Sequence, residues 1–193
     1  MNLPNQLTIA RLGITALFAV VLESDWRLAR TTGLLLFALA SLTDYADGYL
    51  ARRYQLITDF GKLMDPLADK ILMAAALCGL VAVHALPAWV ATAIISREFL
   101  ITGLRQLAAA KGVVLPAERI GKHKTIWQII TILYFLLLQT LEEWARAGWI
   151  PSLPWPGFFQ QWLGGALLVL TLTLTLGSGV GYLWKNRVLL QDR

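Results

Sequence analysis

The sequence predicts an all-α integral membrane protein with six transmembrane helices, both termini in the cytoplasm and a polar cavity open to the cytoplasm. Three observations lead there. Of 193 residues, 57% are hydrophobic and only 15% are charged, where soluble domains carry about 25% charge. Mean hydropathy is +0.60. Six long apolar runs follow one another, separated by short polar, Pro- or Gly-containing links. The basic residues are also lopsided: with six spans, only Arg27, Arg30 and Arg146 of the 17 Lys and Arg fall on the side away from the termini. The basic side is cytoplasmic by the positive-inside rule. A single membrane domain, 1–193, is the expectation for this length.

The elements follow in order. Pro4 and Asn5 suit a helix start. The first apolar run, 12–22, is short for a bilayer, so 7–10 is added to it. That places Arg11 inside the helix, where it snorkels or reaches an anionic group. A polar link, 23–30, leads to a second span over 31–50. A loop over 52–61 precedes the third span, 63–86, with Pro66 in its first turn and His84 as a structural residue at its outer end. After a turn at Pro87, the fourth span, 88–110, carries Arg97 and Glu98 near its middle. Neighbours on a helix point about 100° apart, so these two need not pair; Arg105, eight residues after Arg97, returns to nearly the same face. A basic loop over 111–124 precedes the fifth span, 125–141. The loop 142–157 contains Trp144, Trp149 and Trp155, which fit an interfacial belt. The sixth span is 158–184, and the tail is basic.

Several functions are excluded or disfavoured. Cys78 is the lone cysteine, so no internal disulfide forms, and it reads as a small core residue. The N-terminus has no basic region followed by a cleavage site, so the first span is expected to stay in the mature protein. The basic residues lie between apolar spans and form no soluble face for nucleic acid. There is no P-loop and no Ser-His-Asp or Cys-His arrangement; His123 reads as polar lining.

The chemistry concentrates in 44–69. Asp44 and Asp47 are three residues apart, Asp65 and Asp69 four apart, and each pair can share a helix face. Read singly, each aspartate is also an ordinary cap or surface charge. Together, four anions beside apolar spans require a cationic partner. Hard oxygen ligands favour magnesium, calcium or manganese. Two such ions, about 3.5–4 Å apart, would bind a diphosphate and offset the charge that builds as it breaks. Arg52, at the end of the same helix as Asp44, can take excess anionic charge. Gly48 and Ala51 either pack helices or let a flat ligand approach. Arg97, Arg105, Lys122 and Lys124 can form a cationic pocket for a phosphate, although the two lysines also read as positive-inside anchors.

The stretch Asp44-x2-Asp47-Gly48-x2-Ala51-Arg52-x8-Gly61-x3-Asp65-x3-Asp69 resembles the signature of the CDP-alcohol phosphatidyltransferase family and matches every fixed position. The resemblance implies a six-helix membrane enzyme, usually a homodimer, with its site facing the cytoplasm from a bacterial inner or plasma membrane. It implies transfer of a phosphatidyl group from a CDP-linked lipid to an alcohol, with release of CMP. Carried over by position, Asp44, Asp47, Asp65 and Asp69 are ligands of two divalent ions, Mg2+ or Mn2+, and Asp69 is also the general base. Gly48, Arg52 and Thr58 resemble positions that contact the CDP group, and Ala51 and Gly61 leave room for it. The segment from Asn5 through Thr8 to Arg11 is similar to the family's amino-terminal segment near the nucleotide.

The segments 96–105 and 120–125 resemble those members that take sn-glycerol 3-phosphate as acceptor from CDP-diacylglycerol, consistent with a cationic pocket at Arg97, Arg105, Lys122 and Lys124. Two other functions stand beside this one. One is the same family with inositol phosphate, serine or phosphatidylglycerol as acceptor. The other is a divalent-cation transporter with the aspartates as its ion path, which leaves the Gly-Ala-Arg-Gly punctuation unexplained.

Overall fold

Apolar runs of this length fold as helices because a membrane offers backbone groups no other partner. In the computed structural model, residues 3–54, 59–113, 119–151 and 159–187 are described, with side chains except those of 3–4, 44–54, 59–60, 62–63, 119–123 and 159–161. The elements are α1 (Leu3–Glu23), α2 (Ala29–Tyr54), α3 (Asp59–Ala82), α4 (Ala88–Ala110), α5 (Arg119–Arg146) and, after a π-helical turn at Phe159–Gly164, α6 (Gly165–Lys185). No strand occurs among the described residues. The shortest of the six, at 21 residues, is about 31 Å long at 1.5 Å per residue, near the thickness of a bilayer core. Among the described residues, three segments are both long and apolar enough to cross a membrane: Asn5–Glu23, Lys124–Arg146 and Trp162–Lys185. Charged residues interrupt α2, α3 and α4, and these are the helices that carry most of the candidate site.

Three helices end in the same way. At the ends of α3, α4 and α5 the paired backbone bonds of a Schellman motif form, as in Ala85 N–H to Leu80 O at 2.9 Å and His84 N–H to Val81 O at 3.0 Å. The left-handed residue is Gly112 after α4 and Gly148 after α5, both at φ 74°, but His84 after α3, at φ 58°. Histidine there carries a Cβ that glycine lacks.

Several boundaries differ from the sequence expectation. α2 continues through Tyr54 and α3 already begins at Asp59, so the connection is shorter than 52–61. Pro66 therefore lies inside α3 and not in its first turn; its missing N–H leaves one carbonyl of the preceding turn without its usual partner. α5 starts at Arg119, which puts Lys122 and Lys124 on the helix, and it runs to Arg146, which makes Glu142, Glu143 and Trp144 helical as well. Cys78 is exposed on α3 and is not a core residue.

The chain forms two compact units, Met1–Leu86 with Ile132–Gly157, and Pro87–Thr131 with Phe158–Arg193. In the first, α1 packs against α2 and α3. Leu22, fully buried, is wedged between two glycines. A Cβ on Gly79 would lie 2.6 Å from Leu22 Cδ2, and one on Gly33 would lie 3.0 Å from Leu22 Cδ1. The Phe18 and Phe37 rings meet nearby, with centroids 5.9 Å apart. In the second unit, α4 packs on α6 through Ile101, Leu104 and Tyr182.

Candidate active site

Asp65 and Asp69 stand one turn apart on α3, both half-buried, so their carboxylates share a face. Thr8 of α1, fully buried, donates its hydroxyl to Asp65 Oδ1 at 2.6 Å. The amino-terminal segment thus reaches Asp65 directly. Arg11, one turn further along α1, is also fully buried and so does not snorkel to the surface. Asn5 is half-buried, and Gly61 is buried on the first turn of α3.

Asp44, Asp47, Gly48, Ala51 and Arg52 lie in the last three turns of α2, in the same unit as Asp65 and Asp69. Their side chains, like that of Lys122, are outside the described residues, and so is Thr58 altogether. Divalent metal fits what is described. Asp65 and Asp69 supply hard oxygen donors on one helix face, and the Thr8 bond occupies only one oxygen of Asp65.

The second polar cluster belongs to the other unit and lines α6. Arg97 donates from Nε to Thr175 O at 3.1 Å and from Nη2 to Ser178 Oγ at 2.9 Å. It also pairs with its neighbour, Nη1 to Glu98 Oε1 at 3.2 Å. Their helical angle left that pairing open, and both side chains are long enough to bend toward each other. Glu98 Oε1 also holds the ammonium of Lys124, which is buried. Three of the five guanidinium N–H groups of Arg97 are engaged in this way, leaving two without an acceptor among the described residues.

Arg105 differs. Its Nε donates to Tyr182 Oη at 3.2 Å and its guanidinium lies 5.4 Å from the Tyr182 ring centre. The residue is exposed, and Tyr182 engages its guanidinium through Nε. The stripe on α6 that makes these contacts was not singled out from the sequence. Thr171, Thr175, Ser178 and Tyr182 follow at spacings of four, three and four, on one helical face. Thr171 bonds Thr131 at 2.8 Å, and Thr175 accepts from Gln128 Nε2 at 3.1 Å. That spacing was the available signal, hidden because threonine scarcely disturbs an apolar run.

A model of the CDP-alcohol phosphatidyltransferase family matches residues 1–176. The chain is 45% identical over 148 residues to a CDP-diacylglycerol–glycerol-3-phosphate 3-phosphatidyltransferase of Bacillus subtilis (strain 168), covering 70% of this chain and 77% of that one. It is 41% identical over 136 residues to a protein of the same description from Rickettsia felis, covering 70% and 75%. With another of that description, from Cereibacter sphaeroides, the identity is 32% over 219 aligned positions, covering 99% of this chain and 98% of the other.

Proposed function

The chain belongs to the CDP-alcohol phosphatidyltransferase family, and from that premise we propose that it transfers the phosphatidyl group of CDP-diacylglycerol to sn-glycerol 3-phosphate. The products are phosphatidylglycerophosphate and CMP, a step of phospholipid biosynthesis. The relatives described by that reaction support the choice of acceptor. The observation that carries the reading is the Asp65–Asp69 pair on one face of α3, with Asp65 held by Thr8 of the amino-terminal segment.

Asp44, Asp47, Asp65 and Asp69 would hold two divalent ions, Mg2+ or Mn2+, which supply charge neutralisation for the diphosphate. Asp69 takes the proton of the acceptor's hydroxyl. The freed oxygen attacks the lipid-side phosphorus in line, the bond from that phosphorus to CMP breaks, and CMP carries away the electron pair. Thr8 fixes the carboxylate of Asp65, so the site is set before substrate arrives. Asn5, Gly48, Ala51, Arg52, Thr58 and Gly61 receive the cytidine diphosphate group, the small residues by leaving room and Arg52 by charge.

The acceptor's phosphate is an anion and needs cations. Arg105, exposed and steadied by Tyr182, offers its terminal N–H groups. Lys122, Lys124 and the two uncommitted N–H groups of Arg97 add to it. The family match crosses both compact units, which supports reading 1–193 as one membrane domain. In this reading it spans the membrane six times as a homodimer in the bacterial inner membrane, with both termini and the aspartates on the cytoplasmic side.

An acceptor panel with one labelled CDP-diacylglycerol tests the proposal. Glycerol 3-phosphate is expected to give labelled lipid and stoichiometric CMP, while inositol phosphate, serine and phosphatidylglycerol give none. Product from one of those three and none from glycerol 3-phosphate would reassign the acceptor. Metal flux across vesicles without CMP would mean a transporter.

A further inference from the structure

The unit that holds Asp65 has a second polar site at its other end. Thr8 meets Asp65, and Ser24 lies 16 residues later, one past the end of α1, which is about 24 Å along the axis. There a cleft of about 460 Å3 is lined by Ser24, Asp25, Arg27, Arg30, Glu143 and Arg146, among others. That volume falls in the range of small-ligand pockets. Basic residues are disfavoured on the non-cytoplasmic side of a membrane. The only three that the sequence places there, Arg27, Arg30 and Arg146, all line this one cleft.

The cleft is lined by three arginines and two acids, Asp25 and Glu143. Glu143 is committed to the first turn of α2: its oxygens accept from Arg30 N–H at 2.8 Å, Thr31 N–H at 2.9 Å and the Thr31 hydroxyl at 2.6 Å. Arg146 uses one nitrogen on Glu142, at 3.1 Å, and its side chain is 78% exposed. Arg27 lies 5.2 Å from the centre of the Trp149 ring. Arg30 Nη1 is buried and has no hydrogen-bond acceptor among the described residues. Such a nitrogen is costly to leave unpaired. Trp26 and Trp149, each 52% exposed, are residues that sit at the level of lipid headgroups.

We propose that this cleft binds the phosphate of an anionic phospholipid at the membrane surface remote from the aspartates. Planar guanidinium groups match phosphate oxygens, often in pairs of bonds. The tryptophans place the ligand's source in the lipid. The site is separate from the reaction proposed above but rests on the six-span orientation given there.

The test uses the full chain in nanodiscs, read by native mass spectrometry of retained lipid. Phosphatidylglycerol is expected to be retained at least fivefold over phosphatidylcholine. The double variant Arg27→Gln/Arg146→Gln, which leaves the Glu143 cap untouched, is expected to lose that preference and still release CMP at the parental rate. Arg30→Gln should lose it too. Equal retention of both lipids by the parent, or an unchanged preference in the double variant, would overturn the proposal. A thermal shift saturating with inorganic phosphate, without any preference between the lipids, would overturn the lipid assignment in favour of a soluble anion.

Discussion

Thr8 Oγ1 donates to Asp65 Oδ1 at 2.6 Å, joining two helices across 57 residues of sequence. Both residues carry proposed roles, and the bond fixes one carboxylate oxygen while leaving the other for a ligand. A hydrogen bond to a charged group contributes about 1.5–3 kcal/mol. Thr8→Val is therefore expected to lower kcat/KM for CMP release by about 10-fold or more, and Thr8→Ser to retain most of it. Steady-state kinetics at saturating magnesium checks this.

Arg97 lies so close to α6 that a Cβ on Gly179 would come 2.9 Å from its Cγ. The guanidinium is tethered at Thr175 and Ser178, so the stem has little room to yield. Gly179→Ala should lower the melting temperature, the overpacking of about 1–3 kcal/mol outweighing a helix-propensity gain of about 1 kcal/mol. Gly177→Ala, on the same helix with nothing within 4 Å, should raise it slightly. Thermal unfolding in detergent separates the two.

Glu143 closes the first turn of α2 from 112 residues away, accepting from Thr31 N–H at 2.9 Å, and Trp144 Nε1 bonds the Thr31 hydroxyl at 2.9 Å. Glu143→Ala leaves two N–H groups of that turn unpaired and is expected to destabilise the fold by about 1–2 kcal/mol. CMP release per folded molecule should stay near the parental rate, because the cap lies far from Asp65. Melting temperature and activity on the same sample check both parts.

These cases mark what was legible in the chain. The six helices and the aspartate spacing follow from hydropathy and from local periodicity. The α4 limits agree with expectation because Pro87 and Gly112 punctuate both ends. The extension of α5 through Glu142–Arg146 was not legible, since the partner that stabilises it is the start of a helix more than a hundred residues earlier. Nor was the role of α6: its threonines are close to neutral in hydropathy, and only their contacts with Gln128, Thr131 and Arg97 reveal a polar face. The helical angle alone left the Arg97–Glu98 pair undecided, because the tips of long side chains are not bound to the direction of their Cβ atoms.

Tyr182 gives Arg105 both a hydroxyl acceptor and an aromatic face. Tyr182→Phe keeps the face and removes the acceptor. If Arg105 receives the acceptor's phosphate, KM for glycerol 3-phosphate should rise several-fold while kcat changes little, because the lost contact orients a binding group. Initial rates across glycerol 3-phosphate concentrations give the split.

The most direct measurement is CMP release by Asp65→Ala, assayed with CDP-diacylglycerol, glycerol 3-phosphate and magnesium on protein whose unfolding transition is intact. A carboxylate that would hold the ions offsetting the charge of the breaking diphosphate should take about 1,000-fold or more of the rate with it. Release within a few-fold of the parent would contradict the aspartates as the seat of the reaction.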